Sequence, residues 1–295
     1  MILDYICDVS TLASLPSPLD LVELPYMRTA LAELTLLAVA GGLLGAWIVL
    51  RRLAFFAHAV GTATFPGLVI ADATGFSATV AGLAVALGYA SGVERAGRSG
   101  RDPGDAATAL ALVAALGIGI VLASDVFESG AAVDRLLFGT ALGLGGEDLW
   151  VAAGAAALAL AGTALLGRAW TAAGFDAGGA PALGLPAHAA DLALLVLIAV
   201  AAVAALPAVG ALLVASLFVV PAAVARLLTE SVGGLLGASV ATAVVQGALG
   251  LYASLWLDVP PGPAVAVAGA SLYALVAVAT ATRSTGGRPT ALEAT

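Results

Sequence analysis

The most constraining feature of the sequence is a series of apolar runs, each close to the roughly 20 residues that an α-helix needs to cross hydrocarbon. They fall at about 29–50, 53–72, 76–94, 105–123, 148–167, 188–206, 209–228, 233–256 and 262–282. With 61% hydrophobic and only 10% charged residues, and a mean hydropathy of +1.08, the chain has too much apolar surface for a soluble domain. The runs predict an all-α polytopic membrane protein with about nine transmembrane helices, or eight if the two runs around Pro207 form one broken unit.

The positions of the arginine residues orient these runs. All eleven basic residues are arginine, and basic residues favour the cytoplasmic side of short loops. If the N-terminus lies outside, most of them fall on the cytoplasmic side: Arg51, Arg52, Arg95, Arg98, Arg101, Arg168, Arg226, Arg283 and Arg288. The pattern predicts an extracytoplasmic N-terminal segment over 1–27, a transmembrane domain over 28–283 and a cytoplasmic C-terminal tail over 284–295.

The charges and the single cysteine exclude some classes of protein. A net charge of −8 without any basic run argues against a nucleic-acid partner. Cys7 is the only cysteine, so a thiolate metal cluster is unavailable. Several acidic residues, among them Asp72, Asp148 and Asp258, map to the outer face or its edge. They either concentrate cations at an outer mouth or only solvate the loops.

The segment 124–147 is too long for a tight turn and contains the apolar stretch LLFGTALGLG. It predicts a re-entrant or interfacial segment, because non-helical backbone at membrane depth must be buried in protein or line an aqueous cavity. The abundance of Ala and Gly along the chain also favours close approach of the helices through small-residue faces.

Few ionisable side chains lie inside the runs, where each is costly. His58 lies in the second run, and Thr62 follows one turn later on the same face. A neutral imidazole suits zinc, manganese, iron or copper, and the hydroxyl could hold a ligand water or orient the ring. The alternative is a hydrogen-bonded histidine at a helix contact. Glu33, one turn into the first run, could extend outward to water or headgroups, or line a pore.

Prolines and glycines mark places where helices could bend. Pro66 lacks a backbone donor and is followed by Gly67, and Pro221 lies near the cytoplasmic end of its run. Such kinks serve both transport and packing. We interpret Pro66, Gly67 and Pro221 as structural hinges.

Five stretches, taken in order, resemble landmarks of the membrane permease subunit of the zinc and manganese ABC importers. They are RRLAFFAHAVGTATFPG, AVDRLLFGTALGLGGEDL, FDAGGAPALGLP, VGALLVASLFVVPAAVAR and GLYASLWLDVPPGPAVAV. The likeness covers about residues 28–282, and the pattern is also similar to the zinc-import branch called AztB. No single stretch is decisive, but five in register are specific.

The resemblance implies a homodimeric permease in the bacterial inner membrane, importing zinc or manganese. It also implies two partners: a cytoplasmic ABC ATPase, which binds ATP, and an extracytoplasmic metal-binding protein. The chain has no phosphate loop of the GxxxxGK[ST] kind and no lysine to complete one, so we expect ATP hydrolysis on the partner rather than here. The stretch 175–186 matches the coupling segment that seats on the ATPase, with the candidate contacts Phe175, Asp176, Ala182, Leu183 and Gly184.

The sequence departs from this family at the cation site. Most members carry an Asp followed four residues later by a His, and here those positions hold His58 and Thr62. Asp134 matches a position where the family often has Glu, which makes Asp134 a further candidate ligand beside Glu33. The missing pair leaves two alternatives open: an ABC permease for a metal chelate or other small solute, and a secondary transporter driven by an ion gradient.

Overall fold

A computed structural model describes residues 25–98, 105–126, 137–140, 145–175 and 187–285. Within these ranges the chain is helical and contains no β-strand, which confirms the predicted all-α class. The helices are α1 Pro25–Leu50, α2 Ala54–Ala63, α3 Phe65–Thr74, α4 Ala78–Arg98, α5 Asp105–Val121, α6 Gly146–Phe175, α7 Ala187–Val209, α8 Val214–Leu228, α9 Val232–Leu257 and α10 Pro261–Thr285. A short π-helical turn, Leu122–Val126, follows α5.

Within the described ranges, six helical segments are long and apolar enough to cross a membrane. They are Tyr26–Leu50, Ala54–Thr74, Gly146–Phe175, Ala189–Val209, Val232–Leu257 and Pro261–Thr282. The apolar helices Thr108–Ser124 and Val214–Leu228 are shorter, and α4 has 21 residues but a lower hydropathy. Each predicted run therefore coincides with helix, with α2 and α3 sharing one run, and the chain is a multi-pass membrane protein.

The boundaries differ from the prediction at three helix ends. Helix α6 continues to Phe175, well past the predicted end near residue 167, so the first residue of the predicted coupling segment 175–186 is still helical. Helix α7 runs through Pro207 to Val209, and α8 begins only at Val214. A proline removes one backbone hydrogen bond, and near the end of a helix that loss does not stop the last turn.

Helix α1 lies at the centre of the bundle and contacts α6, α7, α8 and α9. In the apolar stretch of α1, 72% of the residues are buried, against 28% in α6, 28% in α9 and 17% in α10. Glycines allow these close contacts: a Cβ on Gly42 would lie 2.6 Å from the Cα of Val240 in α9. The predicted packing through small residues is thus present around the central helix.

Long-range polar and aromatic contacts fix α1, α6 and α7 together near the predicted cytoplasmic side. The Arg51 guanidinium donates to Asp191 at 2.8 Å. The rings of Trp47 and Trp170 meet edge to face with centroids 5.4 Å apart, and the Trp170 indole donates to the carbonyl of Ala190 at 2.7 Å. These contacts make α1, α6 and α7 a single packed unit.

Candidate functional site

Several interrupted backbone segments meet at one place in the bundle. The amide of Thr140 donates to the Pro207 carbonyl at 2.9 Å, and the amide of Leu212 donates to the Leu137 carbonyl at 3.3 Å. Residues 137–140 therefore pack on the non-helical connection between α7 and α8. This is the behaviour expected of a re-entrant segment, for the part of 124–147 that the structure describes.

The start of α10 closes the same region. A Cβ on Gly262 would lie 2.5 Å from the Phe138 carbonyl oxygen and would also overlap the Val209 carbonyl. Only glycine lets α10 begin so close to these two backbone segments. Discontinuous helices of this kind are where transporters build their ligand sites near the membrane midplane.

The predicted break in the second run lies beside this junction. Helix α2 ends at Ala63 and α3 begins at Phe65, with Thr64 between them and Pro66 in the first turn of α3. Gly61 faces the α7–α8 connection, because its Cβ would lie 3.2 Å from the Ala211 carbonyl oxygen and 3.5 Å from the Val214 Cβ. The break therefore orients α2 against the non-helical segment.

His58 lies one turn from Gly61 on α2 and is half-buried. The Thr62 hydroxyl donates to the backbone carbonyl of His58 at 3.2 Å, so it does not orient the imidazole as predicted. Within the described residues, the structure records no hydrogen bond or ion pair for the ring. The alternative of a satisfied packing histidine thus has no partner among the described residues, and the role of His58 as a metal ligand stays a prediction.

Glu33 lies elsewhere in the bundle. Gly41 and Gly45 of α1 both pack on Phe218 of α8. Gly61 of α2, one turn after His58, packs on Val214, one turn before Phe218 in α8. His58 therefore lies at about the same depth in the bundle as Gly41 and Gly45. Glu33 precedes Gly41 by eight residues, which places it about 12 Å further toward the outer face at 1.5 Å rise per residue. The structure therefore does not bring Glu33 and His58 together.

The predicted outward extension of Glu33 is wrong. Its side chain is 0% exposed, and within the described residues both carboxylate oxygens have no hydrogen-bond partner. Neighbouring helices cover Glu33 because it shares the buried face of α1 with Ala30 and Leu37. Asp148 lies in the first turn of α6, and Ala32 and Leu149, the chain neighbours of Glu33 and Asp148, line one cavity between α1 and α6.

Five of the remaining predicted site residues lie outside the described residues: Asp134, Asp176, Ala182, Leu183 and Gly184. Among the residues that are described, no group of three or more His, Cys, Asp or Glu side chains could hold a metal ion. The described His, Cys, Asp and Glu side chains therefore do not by themselves complete a metal site at His58.

The hinge residues differ in their surroundings. Pro66 lies at a helix break, whereas α8 is continuous across the buried Pro221. Gly67 is a packing position, because its Cβ would lie 2.8 Å from Val85 Cγ2 in α4. Only Pro66 thus coincides with an interrupted helix, and the hinge role of all three residues stays a prediction.

At the opposite end of the molecule, Phe175 closes α6 with 80% of its surface exposed. It lines two cavities of about 190 and 280 Å³, and Leu50 and Arg226 also line both of them. Arg52 lines the first cavity and Glu230 the second. This end therefore offers a polar surface with one large exposed aromatic ring.

Comparison with known proteins identifies the family. The ABC 3 transport family matches residues 23–281. The chain belongs to this family. It is 31% identical over 262 residues to the manganese transport system membrane protein MntC of Halalkalibacterium halodurans, covering 87% of this chain and 88% of that protein. It is 24% identical to the manganese import system permease protein ScaB of Streptococcus gordonii, covering 84% and 89% of the two chains.

A solved structure has the same fold. It is PsaBC from Streptococcus pneumoniae in complex with Fab, with a TM-score of 0.76, 22% identity and coverage of 94% of this chain and 95% of that chain. Family membership confirms the resemblance inferred from the five sequence stretches. It does not distinguish the zinc branch within the family.

Proposed function

We propose that this chain is the membrane permease of an ABC importer for a divalent transition metal, working as a homodimer in the bacterial inner membrane. The observation that carries the proposal is the half-buried imidazole of His58, without a partner in the described residues, beside the junction of interrupted helices. It is supported by relatives that are named as manganese transport proteins. ATP hydrolysis and metal delivery then belong to a separate ATPase and an extracytoplasmic metal-binding protein.

In this proposal His58 supplies one ligand to the passing ion. Thr62 contributes only its hydroxyl oxygen, because the hydroxyl hydrogen is donated to the backbone. Asp134 stays a candidate ligand on sequence grounds. The segment 175–186, starting at the exposed Phe175, transmits closure of the ATPase dimer, and rocking of the two subunits alternates access.

The ligand types favour zinc over manganese. Imidazole suits zinc, whereas carboxylate, carbonyl and water oxygens suit manganese. The sequence places His58 where the family that it resembles has an Asp, so position 58 contributes a nitrogen ligand in place of a carboxylate. We therefore propose zinc as the preferred cargo, although the named relatives carry manganese.

The test is ATPase stimulation of the reconstituted permease, ATPase and binding protein in proteoliposomes. Zinc, manganese, an iron chelate and no metal are compared, together with uptake of radiolabelled zinc. We expect zinc to stimulate most, and His58→Ala to reduce uptake by about tenfold or more, as loss of a metal ligand or its support does. His188→Ala changes the other histidine of the chain and is the matched control.

Two outcomes would contradict this proposal. Stimulation by the chelate but by neither free metal would assign the chain to the chelate importers. Unchanged zinc uptake by His58→Ala across limiting zinc concentrations would remove His58 from the route.

A further inference from the structure

The buried carboxylate of Glu33 has no role in the site around His58. Both of its oxygens are without a hydrogen-bond partner in the described residues, and the side chain is 0% exposed. A buried carboxyl group without a partner either holds a proton or is compensated by a positive charge. No described arginine or histidine pairs with Glu33, so within the described residues Glu33 is able to exchange its proton for a cation.

A second carboxylate lies on the adjoining helix. Asp148 is in the first turn of α6, and its Oδ2 accepts a hydrogen bond from the Gly145 amide at 2.9 Å. The two helices run side by side here, since Leu31 and Thr35 of α1 share a cavity with Leu149 and Ala153 of α6. Two neighbouring carboxylates without a basic partner repel each other unless one takes up a proton or a cation lies between or beside them.

The depth of Glu33 in the bundle determines the order in which an entering ion would meet Glu33 and His58. Glu33 lies about 12 Å outward from the level of His58 by helix rise. Glu33 and His58 therefore cannot bind one ion together, because neither side chain spans that distance. An ion that enters from the outer face would meet the carboxylates first.

We propose that Glu33, with Asp148, forms an outer binding station for a divalent metal cation, separate from His58 and preceding it on the route inward. This inference rests on the proposed metal-import function and adds a second site to it. Carboxylate oxygens suit manganese and also bind zinc, so the outer station admits both divalent cations and His58 discriminates among them.

The experiment compares Glu33→Gln, Glu33→Asp and Asp148→Asn in the complete reconstituted importer. Glu33→Gln keeps the shape of the side chain and removes its charge, and Glu33→Asp keeps the charge. We expect Glu33→Gln to raise the half-saturating zinc concentration for uptake by about tenfold or more, with a smaller rise for Asp148→Asn. The neighbouring Glu147, which is exposed, provides the matched control Glu147→Gln, for which no change is expected.

Direct binding of radiolabelled zinc to the purified complex separates the two sites. The wild type should bind two ions per permease chain, Glu33→Gln and His58→Ala one each, and the double variant none. Wild-type half-saturation in Glu33→Gln would overturn the station, since a carboxyl group held neutral needs no cation. Loss of the same single ion in both single variants would also overturn it, by making Glu33 and His58 one site.

These outcomes are distinguishable from failure of the proposed function. If wild-type uptake does not depend on metal, the importer assignment fails, while zinc binding to wild type and Glu33→Gln still tests the station. If Glu33→Gln does not fold, which gel filtration of the purified complex detects, Asp148→Asn carries the same comparison.

Discussion

At the scale of single residues, the second run carries His58 and Thr62 where the family that the sequence resembles has an Asp and a His. The imidazole is half-buried, and the Thr62 hydroxyl donates to the His58 backbone. An Asp at 58 and a His at 62 would instead offer an oxygen and a nitrogen from side chains one turn apart, on one helix face. The difference in ligand type predicts a difference in metal preference.

The double substitution His58→Asp with Thr62→His tests this preference. It introduces the Asp and His pair of the family that the sequence resembles, and so replaces a single nitrogen ligand by a carboxylate and an imidazole. We expect the ratio of manganese to zinc uptake to rise by about tenfold, because carboxylate oxygen favours manganese. Competition of unlabelled manganese against radiolabelled zinc measures the ratio, and an unchanged ratio would mean that residues outside α2 select the metal.

At the scale of the helices, close approach of backbones holds α1 in the bundle. Gly42 packs on Val240 of α9 with no room for a Cβ. Gly88 of α4 serves as the control position, because a Cβ there would have no neighbouring atom within 4 Å. Both glycines lie inside helices, so the helix propensity of alanine acts equally on them.

Alanine at these two positions should shift stability in opposite directions. Gly88→Ala should stabilise the protein by up to about 1 kcal/mol through helix propensity. Gly42→Ala should destabilise it by about 1–3 kcal/mol, because the added methyl group forces α1 away from α9. Thermal unfolding of the two purified variants in one detergent checks the signs, and equal shifts would contradict the packing role of Gly42.

The break between α2 and α3 allows a second prediction at this scale. Pro66 has no N–H to bond the carbonyl of Thr62, and alanine would restore that donor. Pro66→Ala should therefore leave assembly and thermal stability intact while slowing zinc uptake, if bending at Thr64 accompanies transport. Pro221→Ala, in the continuous α8, should slow uptake less, and a reversed order would assign the hinge to α8.

The helices could be predicted from the sequence, but several of their contacts could not. Apolar runs of membrane length specify helices directly, since every backbone group must bond within its own segment in lipid. The pairing of Arg51 with Asp191 joins residues 140 apart, and nothing in either local pattern indicates the other. The burial of Glu33 depends in the same way on which helices surround α1, which its position one turn into a run does not reveal.

At the scale of the whole molecule, helix α6 connects the two ends of the proposed route. Its first turn carries Asp148, near Glu33, and its last residue is Phe175, at the start of the proposed coupling segment. The 30 residues of α6 span about 45 Å as one helix. The Trp47 and Trp170 contact ties α6 to the central helix, so a movement at Phe175 would be carried to the outer carboxylates as a rigid-body displacement.

Phe175→Ala tests whether this connection couples ATP hydrolysis to transport. The ring is 80% exposed at the rim of the cavities that contain Arg226, so its removal should leave folding unchanged. A large exposed apolar side chain marks a contact surface, and losing it should weaken the mechanical link to the ATPase. We expect zinc uptake per ATP hydrolysed to fall several-fold, measured in one proteoliposome preparation. Arg168→Ala, an exposed position on the same helix, is the control, and an unchanged ratio for Phe175→Ala would place the coupling contact further along 176–186.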